Sequence, residues 1–212
     1  MITEYEVEPI PGLPGRLPRG ERILWQGAPR RATLARTAFH TRHIALYFGG
    51  LATVALVSAA INGGSLVGVG MTLLLGALGV GLLEGLALLA ARSTIYTLTN
   101  RRLVMRIGIA LPKCINLPLG VIGAVDMKLN RDGTADLPMT VVARQEMGYL
   151  SLWPHARPWR VAEPQPMLRA VPDGAKVAAL IVKTCQAAQA AGNVVQLDAA
   201  RSGTAPDAAV AA

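Results

Sequence analysis

Hydrophobic positions are concentrated in one long central stretch. From Ile44 to Leu83 there is no Asp, Glu, Lys, Arg or His, and Leu, Val, Ala and Gly dominate. A stretch of that length is about twice what one helix needs to cross roughly 30 Å of hydrocarbon. The turn-forming sequence Asn62-Gly63-Gly64-Ser65 lies at its midpoint. The pattern therefore predicts a transmembrane hairpin over residues 44–91, with spans from about Ile44 to Ile61 and from about Ser65 to Ala91.

The chain before the hairpin has a different pattern. Residues 1–20 are rich in Pro and Gly, so we expect an extended arm there. Residues 21–26 alternate polar and apolar side chains, as a half-buried strand does. From Ala32 to His43, apolar residues recur at helical spacing with arginines between them, which favours a helix along the membrane surface. We group residues 1–43 as a cytoplasmic N-terminal arm with a short strand and a juxtamembrane helix.

The chain after residue 92 predicts a small β domain. Short runs of strand-forming residues alternate with Gly and Pro signals, at residues 94–99, 103–107, 113–119, 124–129, 140–143 and 149–153. Asp173 then precedes a helix whose apolar face includes Val177 and Ile181. The predicted fold class is a membrane α-hairpin plus an α+β domain, a bent antiparallel sheet or barrel capped by a C-terminal helix, over residues 92–191. Residues 192–212 are mostly Ala, Gly, Ser, Pro and Asp, and this composition predicts a disordered tail.

The formal charge of +8 is explained by its distribution along the chain. Arginines precede the first span and follow the second, and positive charge beside the spans retains both flanks in the cytoplasm. We therefore expect a multi-pass protein of the bacterial inner membrane with both termini cytoplasmic, in contact with membrane lipids and not with nucleic acid. Cys114 and Cys185 are too far apart in sequence for a metal or redox motif.

Small residues recur at four-residue spacing along the second span, among them Gly64, Gly68, Gly81 and Gly85. Such spacing lets two helix backbones approach closely in lipid. We expect these glycines to mediate a helix contact, either within the hairpin or in a dimer. The alternative is that they are ordinary residues of a membrane span.

Glu84 is the first ionisable residue after the uncharged stretch. His43 lies 20 residues before Gly63 and Glu84 lies 21 residues after it, so an antiparallel hairpin brings them to the same depth. Because an unpaired carboxylate is costly in a membrane, we expect Glu84 to pair with His43 or Arg42. A proton-relay role is the less favoured alternative.

The segment from Leu152 to Arg160 contains two tryptophans, two prolines and two arginines. Trp and Arg are the residues that most often anchor protein interfaces. We therefore predict a cytoplasmic docking surface at Trp153, Arg157, Trp159 and Arg160. The alternative is that both rings are core residues or membrane-interface anchors.

No catalytic motif is found in the sequence, so we expect no enzyme activity. There is no phosphate-binding Gly-rich loop, no nucleophile elbow and no metal-ligand spacing. His40 and His43, at the predicted membrane surface, could bind the magnesium of a chlorophyll-type pigment through a neutral imidazole. An interfacial histidine more often faces head groups, and we assign no cofactor, metal or catalytic residue.

Two motifs carry a resemblance to a known family. Residues 17–29 read LPRGERILWQGAP, and residues 96–104, after the hairpin, read YTLTNRRLV. This order resembles bacterial proteins that carry a PH-like domain beside membrane spans. With Gly12-Leu13-Pro14, Ala38-Phe39-His40, the segment 153–159 and Met167-Leu168-Arg169, residues 8–190 resemble the PuhB family of photosynthetic-complex assembly proteins of purple bacteria.

The resemblance implies a fold and a role. The implied fold is a seven-stranded bent sheet capped by a C-terminal helix. The implied role is non-enzymatic assembly of the photosynthetic reaction centre and core light-harvesting antenna in the intracytoplasmic membrane, with reaction-centre subunits, core antenna subunits and a second copy as partners. The alternative is a general membrane-anchored bacterial PH-like module that binds lipid or protein and has no link to photosynthesis.

Overall fold

The computed structural model describes residues 10–142 and 148–201, with the side chains up to residue 190. Its strands are β1 Ile23–Gly27, β2 Ile95–Thr99, β3 Arg102–Ile107, β4 Lys113–Pro118, β5 Ile122–Val125, β6 Lys128–Leu129, β7 Ala135–Val141 and β8 Met167–Val171. Its α-helices are α1 Arg31–Thr37, α2 Thr41–Asn62, α3 Val67–Ser93, α4 Tyr149–Leu152 and α5 Gly174–Arg201.

The two central helices form the predicted hairpin. α2 and α3 are both long and apolar enough to cross a membrane, and most of their side chains are exposed rather than buried in the protein. Gly63 ends α2 in the left-handed region at φ 64°, where glycine is favoured because it lacks a Cβ. The turn falls where the sequence predicts it, and the helices extend slightly beyond the predicted spans at the ends remote from the turn.

The β domain consists of two antiparallel four-stranded sheets. One has the order β1-β2-β3-β4, and in the other β7 pairs with β5, β6 and β8. The α+β fold class is confirmed, with eight strands among the described residues rather than the seven that the resemblance implies. The prediction of a strand over residues 149–153 is wrong, because residues 149–152 form the one-turn helix α4.

The N-terminal strand belongs to the β domain and not to a separate arm. β1 pairs with β2, placing Gly27 opposite Tyr96. The carboxylate of Glu21 accepts hydrogen bonds from Arg102 Nε at 2.8 Å and Nη2 at 3.2 Å, and from the Thr99 hydroxyl at 2.8 Å. The two motifs that carry the family resemblance therefore bind each other. The predicted boundary at residue 43 does not separate two folding units, since β1 completes a sheet that resumes after the hairpin.

The core lies between the two sheets and α5. Tyr96, Leu103, Leu137 and Ile181 are all fully buried in it. Gly174 lets α5 begin directly against β7, because a Cβ at this position would lie 2.6 Å from the backbone nitrogen of Ala135. The backbone of α5 continues to Arg201, beyond the predicted end of ordered structure near Gly192. The rest of the predicted tail and residues 1–9 lie outside the described residues.

α1 joins the hairpin to the β domain. Leu34 and Ala35 are fully buried and pack with Phe39 against Ala87 and Ala90 of α3 and Ala170 of β8, in one apolar cluster. The backbone N–H of Arg30 donates to the carbonyl of Ala170 at 2.9 Å. α1 therefore links the β domain to the C-terminal end of α3.

Candidate functional site

The tryptophan-rich segment that sequence reasoning treated as one surface divides into two. The ring of Trp153 packs edge-on against Phe39, with centroids 5.4 Å apart. Trp159 is 95% exposed, and its backbone adopts a positive φ of 65°. The residues that follow it, Arg160 and Val161, are exposed as well. We call residues 159–161 the Trp159 tip.

Arg157 holds the base of this loop instead of facing solvent freely. Its Nη1 donates to Asp126 Oδ2 at 2.8 Å and to Gln165 Oε1 at 3.0 Å. Its backbone N–H donates to the carbonyl of Gln165 at 2.9 Å, beside an isolated bridge between Ala156 and Pro166. Arg157 therefore positions the Trp159 tip and does not form part of its outward face.

His155 lies at the centre of a buried polar network. Its Nε2 lies 3.1 Å from the Thr94 hydroxyl and its Nδ1 lies 2.9 Å from the Tyr96 hydroxyl. The Tyr96 hydroxyl also accepts the backbone N–H of Arg169 at 3.1 Å. Burial, and then the positive charge of Arg169, lower the pKa of His155 to about 3, so the imidazole is neutral at physiological pH. This network binds the loop to the first residues after α3.

Candidate metal ligands also lie outside this network. Among residues 10–142 and 148–190, no three His, Cys, Asp or Glu side chains are grouped so that they could hold a metal ion. His40 and His43 are exposed, with ring centroids 5.5 Å apart. Cys114 is half-buried, and Cys185 is a buried thiol.

The structure corrects the predicted partner of Glu84. Its Oε2 lies 3.4 Å from Nη2 of Arg31, at the first residue of α1, and within the described region Glu84 forms no ion pair with His43 or Arg42. The prediction that Glu84 pairs with a basic residue that precedes the first span is met by Arg31 rather than by His43 or Arg42. It failed to identify the partner because α1 packs alongside α3 instead of continuing the line of α2.

The glycines singled out in the sequence do not hold the hairpin together. Around Gly68, Gly81 and Gly85, the space that a Cβ would occupy is open, and Gly64 meets only Ala59 across the turn. The close helix contact inside the hairpin is at Gly76, where a Cβ would lie 2.7 Å from Cβ of Phe48. Of the two predicted contacts, one within the hairpin is not seen at Gly68, Gly81 and Gly85, and contact of these glycines with a helix of another molecule stays a prediction.

Asp132, in the β6–β7 turn, also fixes α1. It accepts a short hydrogen bond from the Thr33 hydroxyl and lies 4.0 Å from the Arg30 guanidinium. The Thr33 bond, opposed by partial burial and supported by hydrogen bonds from Thr134, lowers the pKa of Asp132 to about 2. α1 is therefore bound to the β6–β7 turn through Asp132 and to α3 through the Arg31–Glu84 pair.

Sequence reasoning missed these structural partners because each pair is distant in the chain. Arg31 is 53 positions from Glu84, and Thr33 is 99 positions from Asp132. The sequence Asn130-Arg131-Asp132-Gly133 is a recognisable turn signal. Nothing in it indicates that the turn packs against α1. The Tyr96–His155 bond has no local signal either, since the two residues are 59 positions apart.

Comparisons with known proteins agree with this architecture. The family model described as "Bacterial PH domain" matches residues 46–184. A relative from Rhodobacter capsulatus, "Uncharacterized 23.7 kDa protein in puhA 5'region", is 38% identical over 198 residues, covering 87% of this chain and 88% of the relative. No solved structure matches significantly. The family match spans more than half of the chain and includes the hairpin and most of both sheets, so the chain belongs to the bacterial PH domain family.

Proposed function

We propose that this protein is a membrane-embedded assembly factor of the PuhB type for the photosynthetic reaction centre and core light-harvesting antenna. It acts by protein–protein contact and without catalysis. Two findings support this role. The relative from Rhodobacter capsulatus is named for the puhA 5' region, which links it to a photosynthetic bacterium, and the Trp159 tip offers a docking site without any catalytic group nearby.

The membrane placement in this proposal follows from the hairpin. α2 and α3 span the intracytoplasmic membrane, and the exposed Arg42 and Arg92 at their ends stay in the cytoplasm. The β domain is on the same side because β2 begins two residues after α3 ends. Both termini are therefore cytoplasmic, and the β domain faces the cytoplasmic surfaces of the subunits being assembled.

The Trp159 tip is the observation that carries the proposal. An indole that is 95% exposed is held on a loop whose base is fixed by Arg157. Trp and Arg dominate binding hot spots, and a preorganised loop loses little entropy when it binds. The tip therefore has the composition and the fixed base of a protein-binding site, and its client is a subunit with a cytoplasmic apolar pocket.

The outward face of the hairpin provides a second contact in this proposal. Gly68, Gly81 and Gly85 have open space beside them, so a helix of a client subunit or of a second copy can approach the backbone there. Contact in the membrane would align the client before the β domain engages its cytoplasmic surface.

Deletion and complementation test this function. In a photosynthetic host lacking the gene, we expect slower appearance of reaction-centre and core-antenna absorbance, restored by the wild-type gene. Trp159→Ala should restore it poorly, whereas the matched control Val142→Ala, at another exposed apolar position, should restore it fully. Unchanged assembly kinetics in the deletion strain would contradict the proposal and leave the family match to support a general lipid- or protein-binding module.

A further inference from the structure

Four exposed apolar side chains lie together at one end of the β domain. Leu111 is 85% exposed, Leu150 87%, Trp153 47% and Ile109 38%. They come from the β3–β4 turn and from α4 with the residue after it. We call these four residues the apolar rim.

The rim lies where the β domain meets α3. Ile95, two residues after α3 ends, pairs with Arg106 at the end of β3. The β3–β4 turn, which carries Ile109 and Leu111, follows directly and so lies beside the end of the helix. Ile109 and Trp153 also line a cavity of about 150 Å³ together with Ala90 and Thr94 at the end of α3.

Two further contacts join the parts of the rim to each other and to the hairpin. Lys113 Nζ donates to the Ser151 hydroxyl at 2.5 Å, which connects the start of β4 to α4. The edge-on contact between Trp153 and Phe39 connects the rim to the residues that lead into α2. The rim is therefore continuous with the cytoplasmic ends of both long helices.

The charge around this end of the molecule fits an anionic surface. Arg36, Arg42, Arg92 and Lys113 are all exposed on the segments that adjoin the rim. Apolar side chains bordered by Lys and Arg are typical of surfaces that lie at the boundary between head groups and acyl chains. Each basic residue near an anionic leaflet contributes about 1 kcal/mol to its binding.

We infer that the apolar rim inserts into the cytoplasmic leaflet beside the hairpin. Leu111, Leu150 and Trp153 enter the acyl boundary, and the neighbouring basic residues bind anionic head groups. The β domain then has a membrane contact of its own, which fixes its orientation to the bilayer in addition to the packing of α1. This inference rests on the membrane placement in the proposed function.

Site-directed spin labelling tests the rim in the full chain. Single cysteines are placed at Leu111, Leu150, Val54 and Val142 in a Cys114→Ala, Cys185→Ala background and labelled with a nitroxide. The protein is reconstituted into nanodiscs of phosphatidylcholine and phosphatidylglycerol. Collision rates with oxygen, which partitions into lipid, and with a water-soluble nickel complex are then compared. All four labelled positions are exposed, so the label does not disturb the core.

The two reference positions make the outcomes distinct. Val54 is in α2 and Val142 follows the far end of β7, so they report bilayer and water respectively. We expect labels at 111 and 150 to collide preferentially with oxygen, as at 54, and the label at 142 with nickel. Nickel access at 111 and 150, or exclusion of both reagents by a protein contact, would overturn the rim inference alone. Nickel access at 54 would overturn the membrane placement as well.

Discussion

Arg31 and Glu84 join the juxtamembrane helix to the second long helix, with Nη2 and Oε2 3.4 Å apart. Arg31 is at the first residue of α1, and Glu84 lies in α3, three residues before Ala87. The contact sits at the edge of the cluster formed by Leu34, Ala35 and Ala87. It therefore adds a polar contact to the apolar packing that holds α1, and with it the β domain, against α3.

A charge exchange tests this pair. Arg31→Glu should lower the thermal unfolding midpoint of the detergent-solubilised chain, because two carboxylates then face each other. The double variant Arg31→Glu, Glu84→Arg should recover most of the loss. Both side chains are partly exposed, so we expect a coupling of only about 0.2–1 kcal/mol. The matched cycle of Arg42→Ala with Glu84→Gln should show no coupling, and coupling there in place of Arg31 would contradict the structure.

Gly76 and Gly68 provide a matched test of the hairpin packing. Gly76→Ala should destabilise the hairpin, because the new Cβ would lie 2.7 Å from Cβ of Phe48 and force the helices apart. Overpacking of this kind typically costs about 1–3 kcal/mol. Gly68→Ala meets open space and should be neutral or slightly stabilising. Thermal unfolding in one detergent measures both, and equal effects would show that Gly76 is not the close contact.

Glu21 should make the stability of the β domain dependent on acid pH. Burial alone would raise its pKa, but the hydrogen bonds from Arg102 and Thr99 outweigh burial and lower the pKa below 4.5. Because the folded pKa is the lower one, this stabilisation is fully present above about pH 4.5 and is lost as the pH falls through the folded value. Unfolding midpoints of wild type and Glu21→Gln should therefore differ most at neutral pH and converge in acid. A constant difference at every pH would contradict this account.

His155 should add a second pH dependence at a higher range. Burial, followed by the charge of Arg169, lowers its pKa from 6.5 to about 3. The neutral imidazole therefore stabilises the fold above about pH 6.5, and this contribution is lost as the pH falls from 6.5 towards 3, by at most about 1.4 kcal/mol per pH unit. His155→Gln should be less stable than wild type at pH 7 and should lack this slope. A histidine proton resonance for residue 155 that titrates near pH 6.5 in the folded protein would disprove its burial.

The hairpin could be predicted from the sequence, because an uncharged stretch of about forty residues is long enough for two spans and lipid requires its backbone to be helical. The sequence also predicted β2, β3 and β4, whose strand-forming residues are bounded by Asn100 and Gly108. β7 was mostly missed because Pro138 lies within it and argues against a central strand. β8 was missed because it contains Arg169, which is buried and donates to the carbonyl of Ala156.

Residues 149–153 were misread because short apolar runs do not distinguish a strand from a helical turn. In α4, Leu152 is buried and Leu150 is exposed. Residues two positions apart would lie on the same face of a strand, so this difference in burial fits a helical turn. Sequence alone also could not show that the predicted docking surface is divided in two. Trp153 and Trp159 are the same residue type and lie close in sequence. Phe39 covers one side of Trp153, whereas Trp159 is exposed. Only tertiary structure separates them.

The most direct measurement of the central claim is photocrosslinking from the Trp159 tip in growing photosynthetic cells. A photoreactive amino acid is placed at position 159, with a matched probe at Val142, and the crosslinked proteins are identified by mass spectrometry. The account predicts that position 159 captures reaction-centre or core-antenna subunits during assembly and that position 142 does not. Capture of neither class of subunit from position 159, while assembly proceeds and the variant supports it, would contradict the account.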